Sequence, residues 1–358
     1  MIKKNILIVT PQLSRLGGVS SFWNALLPEL RMYDDIAINN LQIGGHGKNI
    51  LGPVLDQWSF RKVIKKNVDL AFLNPSLGSR SFFRDALFAK QLIQKSLPFV
   101  VFFHGWDLDF EQKVDEKYSG FFLKTFGQAK IIFVLSEDFK NKILEWGYEG
   151  EVILETTNVD ASLLDGFSIN TKIESLKNIT TIKILFLARL LKEKGVFETV
   201  EAFQNLCKKY ENIELIIAGD GKDLDALKTL VAKDSKIIVA GYVEGKNKID
   251  LFEQSHIYCF PTFYGEGLPT SVLEAMAFAM PIITTNMGGL KEFFKDKEMG
   301  YFVEPKDVKQ LEEKLELLLN DRRNIISIGR HNAHYAKERL LSTVVTKRLY
   351  DCILEVLE

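Results

Sequence analysis

Two carboxylates in an E-x7-E spacing, Glu266 and Glu274, stand in the segment PTFYGEGLPTSVLEAMAFAMPIITTNMGG, which runs from Pro261 to Gly289. Carboxylates accept hydrogen bonds, so such a pair suits a ligand rich in hydroxyl groups, a ribose on one side and a sugar on the other. Pro269 fits the first position of a helix, where its missing N–H needs no partner. The helix is then expected over Pro269 to Ala279, with Glu266 in the loop before it and Glu274 about one turn inside. The N–H groups of Thr270, Ser271 and Val272 would form an anion site at its start, reinforced by the helix dipole. A diphosphate resting there would have one carboxylate to each side. A loop glutamate followed by a helix-surface glutamate is the plain alternative; the flanking Gly-Leu-Pro and Glu-Ala-Met-Ala argue against it.

A second group of charges lies in LFLARLLKEKGV, where Arg189 and Lys194 follow an apolar strand. Two cations there can stabilise the charge that develops on a leaving diphosphate. The guanidinium would fork two oxygens and the ammonium would act as a mobile point charge. Taken alone, a strand-end arginine and lysine are more often simply solvated side chains. Gly17 and Gly18 lie between the first strand and the first helix, where backbone N–H groups could approach a phosphate or a sugar. A tight turn accounts for the same pair. His104, in FFHGWDLD, directly follows a strand beside a glycine and an aspartate; a structural histidine is the competing reading. Asp107 and Asp109 spell D-x-D, which elsewhere holds a divalent metal in sugar transfer. Such sites belong to a single-domain architecture and this chain reads as two domains, so no metal ligand is assigned. Gly219, in Gly-Asp-Gly, and Tyr242 with Val243, in Gly-Tyr-Val-Glu-Gly, lie in βα turns. The second turn suits a nucleotide base read by backbone groups; a glycine serving only its turn explains the first as well.

The elements that must position these residues alternate. Ile6 to Val9, Asp69 to Leu73, Phe99 to Phe103 and Ile131 to Leu135 are short apolar runs of the kind that form buried parallel strands. Val19 to Leu30, Ser79 to Lys95, Ser119 to Gln128 and Glu137 to Trp146 carry helical periodicity between them. The stretch 166–181 is polar and reads as a linker. A second series follows, with strands at Ile184 to Ala188, Ile213 to Ala218, Ile237 to Ala240, Ile257 to Phe260 and Ile282 to Thr284. Val196, Val200, Phe203, Cys207 and Tyr210 form an apolar helical stripe. Helices at Val308 to Leu319 and Asn324 to Leu357, broken near Glu338, close the chain. This is an α/β protein of two Rossmann-like domains, with parallel sheets and helices on both faces. Ligand loops in such sheets lie at the carboxyl ends of strands, where every segment above is placed.

The 358 residues exceed one comfortable core. A formal net charge of -1 lacks the basic balance of a dedicated nucleic-acid binder. The three cysteines, Cys207, Cys259 and Cys352, form no metal or disulfide spacing; Cys207 and Cys259 read as small buried hydrophobes. The N-terminus runs straight into a strand, without the pattern of a signal peptide, and no apolar run approaches the ~20 residues of a membrane span. A cytoplasmic location is expected. Phe82, Phe83, Phe121 and Phe122 lie among Arg80, Arg84 and Lys124, and Arg61, Lys62, Lys65 and Lys66 form a basic run on an expected helix. An amphipathic basic surface suits an anionic membrane, here the cytoplasmic face of the inner membrane; solvated helix faces over an ordinary core explain the same residues.

Taken together, EGLPTSVLEAMA and the upstream ARLLKEKGV resemble the retaining glycosyltransferases of family 4, also called glycosyl transferase group 1, with the two-domain GT-B fold. The resemblance is strongest from Lys183 to Phe302 and looser over the N-terminal half. It implies transfer of a sugar from a nucleotide diphosphate, most often a UDP-sugar, to a glycan or lipid-linked acceptor, as in bacterial cell-surface polysaccharide synthesis. It implies retention of configuration, no metal and no other cofactor. By the same resemblance Glu266 contacts the donor sugar, Glu274 the ribose, and Arg189 with Lys194 the diphosphate. Gly18 approaches the donor from the first domain, His104 lies beside the transferred sugar, and the backbone of Gly267, Leu268, Pro269 and Thr270 completes the donor site. The domains implied are 1–165 for the acceptor, 166–181 as linker, 182–337 for the donor, and 338–358 as a helix returning to the first domain. One departure stands out: Thr156-Thr157-Asn158-Val159-Asp160 replaces the family's usual Pro-Asn-Gly-Val-Asp. A GT-B epimerase acting on nucleotide sugars and a non-catalytic sugar-binding subunit are the competing functions.

Overall fold

The computed structural model describes residues 3–15, 17–46, 51–264 and 268–358. The chain divides into two compact units, Met1–Asn158 with Ser342–Glu358, and Val159–Leu341.

The first unit is built on a six-stranded sheet whose pairings are all parallel. Its spatial order is Ile36–Ile43, Lys4–Pro11, Leu70–Leu73, Phe99–Phe102, Ile131–Val134 and Glu151–Leu154. The three strands from Leu70 to Val134 are buried at every position, because both faces of the sheet are covered. The two-residue alternation of a strand separates the cores. Leu7, Val9, Ala71 and Leu73 point to one face, with Phe60, Phe82 and Phe88. Ile6, Ile8, Leu70 and Phe72 point to the other, with Phe22, Trp23 and Leu26 of the helix Gly18–Leu30. The terminal helix Ser342–Leu357 completes that second layer through Val345, Leu349 and Ile353. It is fixed there by Arg348, whose guanidinium forks onto the buried Glu155 carboxylate with Nε 2.9 Å from Oε2. Tyr350 stacks on Tyr33 with ring centroids 3.7 Å apart.

The second unit carries another six-stranded, all-parallel sheet. Its order is Ile237–Gly241, Ile213–Ala218, Ile182–Leu187, Ile257–Phe260, Ile282–Thr285 and Gly300–Val303. Numbered along this unit, the strands run 3-2-1-4-5-6, the order of doubly wound dinucleotide folds. The chain reverses direction across the sheet between Ile182–Leu187 and Ile257–Phe260. In the first unit, the corresponding reversal lies between Lys4–Pro11 and Leu70–Leu73.

Several expectations need correction. The stretch 166–181 is not a plain linker: Ile169–Asn178 is a helix. Ser168 caps it by accepting from the Thr171 N–H at 3.3 Å, and Ile173 and Leu176 are buried in the second unit. Its apolar stripe is narrow and set among polar residues, which hid it. The helix expected over Ser119 to Gln128 is four short pieces from Leu108 onward, with a π-helical turn at Val114–Tyr118. Cys207 is only half-buried, whereas Cys259 is buried. Phe82 and Phe122 belong to the core rather than to a basic surface.

Candidate functional site

The switch point of the second unit gathers the charged segments. After the strand Ile182–Leu187 the chain makes a short turn, Lys192–Lys194, and enters the helix Val196–Leu206. Gly195 joins them with φ +82, and a Cβ added there would lie 2.3 Å from the Pro261 carbonyl oxygen. Only glycine tolerates both demands. The contact is cemented from the other side, since the Phe263 N–H donates to the Glu193 carbonyl at 2.9 Å. The loop that carries Lys194 is therefore locked to the loop that follows Ile257–Phe260. The sequence treats these segments as separate motifs; the fold makes them one wall.

Lys194 sits over the Tyr264 ring, with Nζ 4.4 Å from the centroid. Burial and, after it, the adjacent Arg189 guanidinium press its pKa down to about 8. Lys194 thus lies beside a second cation in a partly desolvated position. Arg189 itself is exposed.

Pro269 is the cap of the next helix rather than its first residue, with ψ 112, and the helix runs Thr270–Ala277. The start is one residue later than expected because Pro269 keeps extended backbone. The Val272 N–H is not available to an anion, since it donates to the Pro269 carbonyl at 3.1 Å. Glu274 is buried, and its Oε1 accepts from Lys248 Nζ at 2.6 Å. Burial raises its pKa; the Lys248 ammonium opposes the rise. Lys248, on the helix Gly245–Gln254, went unread in the sequence. Nothing in a lone lysine of KNKIDLF signals a partner 26 residues on. Glu266 and Gly267 lie outside the described residues. Leu268 is buried.

Gly219 has φ +139, and a Cβ there would lie 1.8 Å from the Ala188 carbonyl oxygen. Close backbone packing therefore accounts for this glycine. Tyr242 is half exposed, with its hydroxyl 3.1 Å from Glu244 Oε2. It and Val243 follow the edge strand, two strands from the switch point.

In the first unit His104 follows the strand Phe99–Phe102. Its ring stacks on Phe102 at 3.9 Å and meets the Phe22 edge at 4.9 Å. Burial pushes its pKa down to about 3, so the imidazole is neutral. Asn74 sets the tautomer. Its Nδ2 donates to the Val9 carbonyl at 2.8 Å, which turns Oδ1 toward His104 Nε2 at 2.9 Å. Nε2 therefore carries the proton and Nδ1 the lone pair. Asn74 was missed, although its place directly after the buried strand LAFL was the available signal. It bridges the switch-point strands of this unit. Gly17 and Gly18 open the helix Gly18–Leu30. Gly17 has extended backbone, φ 171, and a Cβ on either glycine would meet nothing within 4 Å. Local packing does not demand glycine at this helix start. Asp107 caps the helix Leu108–Lys113 by accepting from the Phe110 N–H at 3.1 Å. Among the described residues no cluster of three or more side chains is arranged to hold a metal ion.

Two doubly wound, all-parallel units, the second with charged residues at its switch point, are the architecture of the GT-B fold. Residues 168–338 match the family model for glycosyl transferases group 1. The chain is 24% identical over 233 residues to the capsular polysaccharide biosynthesis glycosyltransferase CapM of Staphylococcus aureus, covering 62% of this chain and 60% of that protein. It is 27% identical over 222 residues to a putative teichuronic acid biosynthesis glycosyltransferase, TuaC, of Bacillus subtilis (strain 168), covering 61% and 54%. The chain thus spans little more than half the length of these curated relatives. A sucrose-phosphate synthase from Thermosynechococcus elongatus shares the fold with a TM-score of 0.76 at 14% identity over 99% of both chains. Anabaena HepE, solved in complex with UDP and glucose, aligns with a TM-score of 0.71 at 14% identity, over 99% of this chain and all of that one.

Proposed function

We propose that the protein is a retaining glycosyltransferase that moves a sugar from a nucleotide diphosphate, UDP in the first instance, to a glycan or lipid-linked acceptor in bacterial cell-surface polysaccharide synthesis. The observation that carries this reading is the pairing of Arg189 with Lys194, whose ammonium is desolvated and crowded by a second cation. A diphosphate between them would place its oxygens against both cations. Several relatives act in polysaccharide synthesis by name, among them CapM, and HepE binds UDP and glucose. As the glycosidic bond breaks, charge grows on the diphosphate, and the two cations stabilise it where a metal would otherwise be needed. A diphosphate oxygen then takes the proton of the attacking hydroxyl on the face it has just left, which retains configuration. Glu274 fits the ribose, for which it would exchange or share Lys248. The neutral His104, with Nδ1 as an acceptor, fits a sugar hydroxyl. A screen of radiolabelled nucleotide sugars tests the proposal: slow hydrolysis of one donor without acceptor is expected. No hydrolysis of any donor, or epimerisation of the donor sugar, would overturn it.

A further inference from the structure

The helix Gly52–Val63 of the first unit is turned the opposite way to most surface helices. Its inward face carries Gly52, Asp56 and Phe60. The buried Asp56 carboxylate accepts from the Gly44 N–H at 3.1 Å and lies 2.8 Å from His46 Nε2. Its outward face is apolar over the first turns. Leu51, Val54 and Trp58 are each more than 60% exposed, and Leu55 is 42% exposed. These positions follow the i, i+3, i+4, i+7 spacing of a single helical stripe. The stripe continues into Arg61, Lys62, Lys65 and Lys66, all exposed. Lys62 lies over the Trp58 ring, 5.5 Å from its centroid. The neighbouring helix Ser79–Gln94 extends the patch. Gln57 donates to the Arg84 carbonyl at 2.9 Å and accepts from Gln91 at 2.7 Å, one attachment on either side of Leu87. Leu87 is 46% and Phe83 37% exposed.

A contiguous apolar patch rimmed by charge marks an interaction surface. We propose that this face docks on an anionic lipid bilayer. Val54, Leu55 and Trp58 would enter the headgroup–acyl boundary, and the four cations would meet lipid phosphates. An exposed tryptophan with aliphatic neighbours and a polybasic flank is the composition of an interfacial helix. Charge decides against a second copy of this chain. Asp56, the one acid among residues 51–68, is buried and occupied, so a two-fold contact would set four cations against four. Protein interfaces are also poor in lysine. The inference stands on surface chemistry and does not depend on the transfer reaction.

The test is co-sedimentation of the whole protein with vesicles of phosphatidylcholine alone and with about a third phosphatidylglycerol, where each added cation near the surface contributes severalfold. Binding to the anionic vesicles only, with quenching of Trp58 by brominated lipid, is expected. Trp23 and Trp146 are buried and Trp106 is half-buried, so the Trp58→Ser variant supplies the background signal and should lose the quenching. Replacing Arg61, Lys62, Lys65 and Lys66 together by Gln should weaken binding on the order of a hundredfold. Leu55→Ser with Trp58→Ser should weaken it about tenfold or more. Both sets alter exposed side chains, and unchanged melting temperatures verify folding. No binding to anionic vesicles, equal binding to both, or binding untouched by either variant would overturn the proposal. So would a concentration-dependent dimer abolished by Trp58→Ser.

Discussion

Lys194 offers a sharp test of the donor site through its proton. With its pKa pressed down to about 8, by burial first and Arg189 second, it is mostly charged at pH 7 and mostly neutral at pH 9. A bound diphosphate should reverse the shift, because a nearby anion favours the ammonium. If the bound pKa rises well above 9, affinity follows the protonated fraction of the free protein. That fraction falls about tenfold between pH 7 and pH 9, or about 1.4 kcal/mol of binding. Solvent screening at this half-buried site reduces the change to between about threefold and tenfold. The assay is calorimetric titration of UDP across this range in two buffers of different ionisation heat. Proton uptake should accompany binding near pH 8 and above. Lys194→Arg keeps the charge at every pH, so its affinity should lose this dependence and serve as the reference for ionisation of the phosphate itself. A flat profile in the native protein, or an equal slope in Lys194→Arg, would refute the placement of Lys194 against the diphosphate.

Further expectations concern buried charges and one glycine. Lys248→Met strands the Glu274 carboxylate, which is buried and bonded at 2.6 Å, and should cost about 3 kcal/mol in denaturant unfolding; adding Glu274→Gln should recover part of that loss. Glu274→Gln alone should weaken nucleoside diphosphate binding more than it slows turnover, as read from KM and kcat. Lys172 is buried, with Nζ donating to the Phe252 carbonyl at 2.6 Å and its pKa lowered to about 7 by burial. The unfolded chain thus binds more protons between about pH 7 and pH 10, and this group's penalty is full below pH 7 and relieved as pH rises. Lys172→Met should therefore raise the melting temperature at pH 6 more than at pH 9. Gly195→Ala meets both a positive φ and the Pro261 carbonyl, so it should lower kcat by disturbing the Lys194 loop; unchanged turnover would sever that loop from the mechanism.

The sequence was legible wherever one short segment carried both the pattern and the chemistry. Buried parallel strands such as Phe99–Phe102 and Ile257–Phe260 announce themselves as apolar runs, and the candidate site residues lie in the segments after them. The edge strand Ile36–Ile43 was not seen, since its IAINNLQI mixes Asn and Gln into a half-exposed pattern. The strand Gly300–Val303, GYFV, was missed as well, since it opens on a glycine and lies at the sheet edge. Asn74 and Lys248 matter through partners at distant positions, and such pairings exist only once the fold has formed. Gly195 reads as a loop glycine until the Pro261 carbonyl is placed beside it. The outward apolar stripe on Gly52–Val63 went unread, because only the tertiary structure shows that Asp56 and Phe60 point inward.

Sugar transfer with retention, carried by Arg189 and Lys194 in place of a metal, is the proposed reaction. The most direct measurement is the anomeric configuration, by NMR, of the glycoside formed from a single nucleotide sugar in excess chelator. The account predicts product of the donor's own configuration, at a rate that chelator leaves unchanged and that Lys194→Ala lowers by about a hundredfold. Inverted product, or activity that returns only with manganese or magnesium, would contradict it.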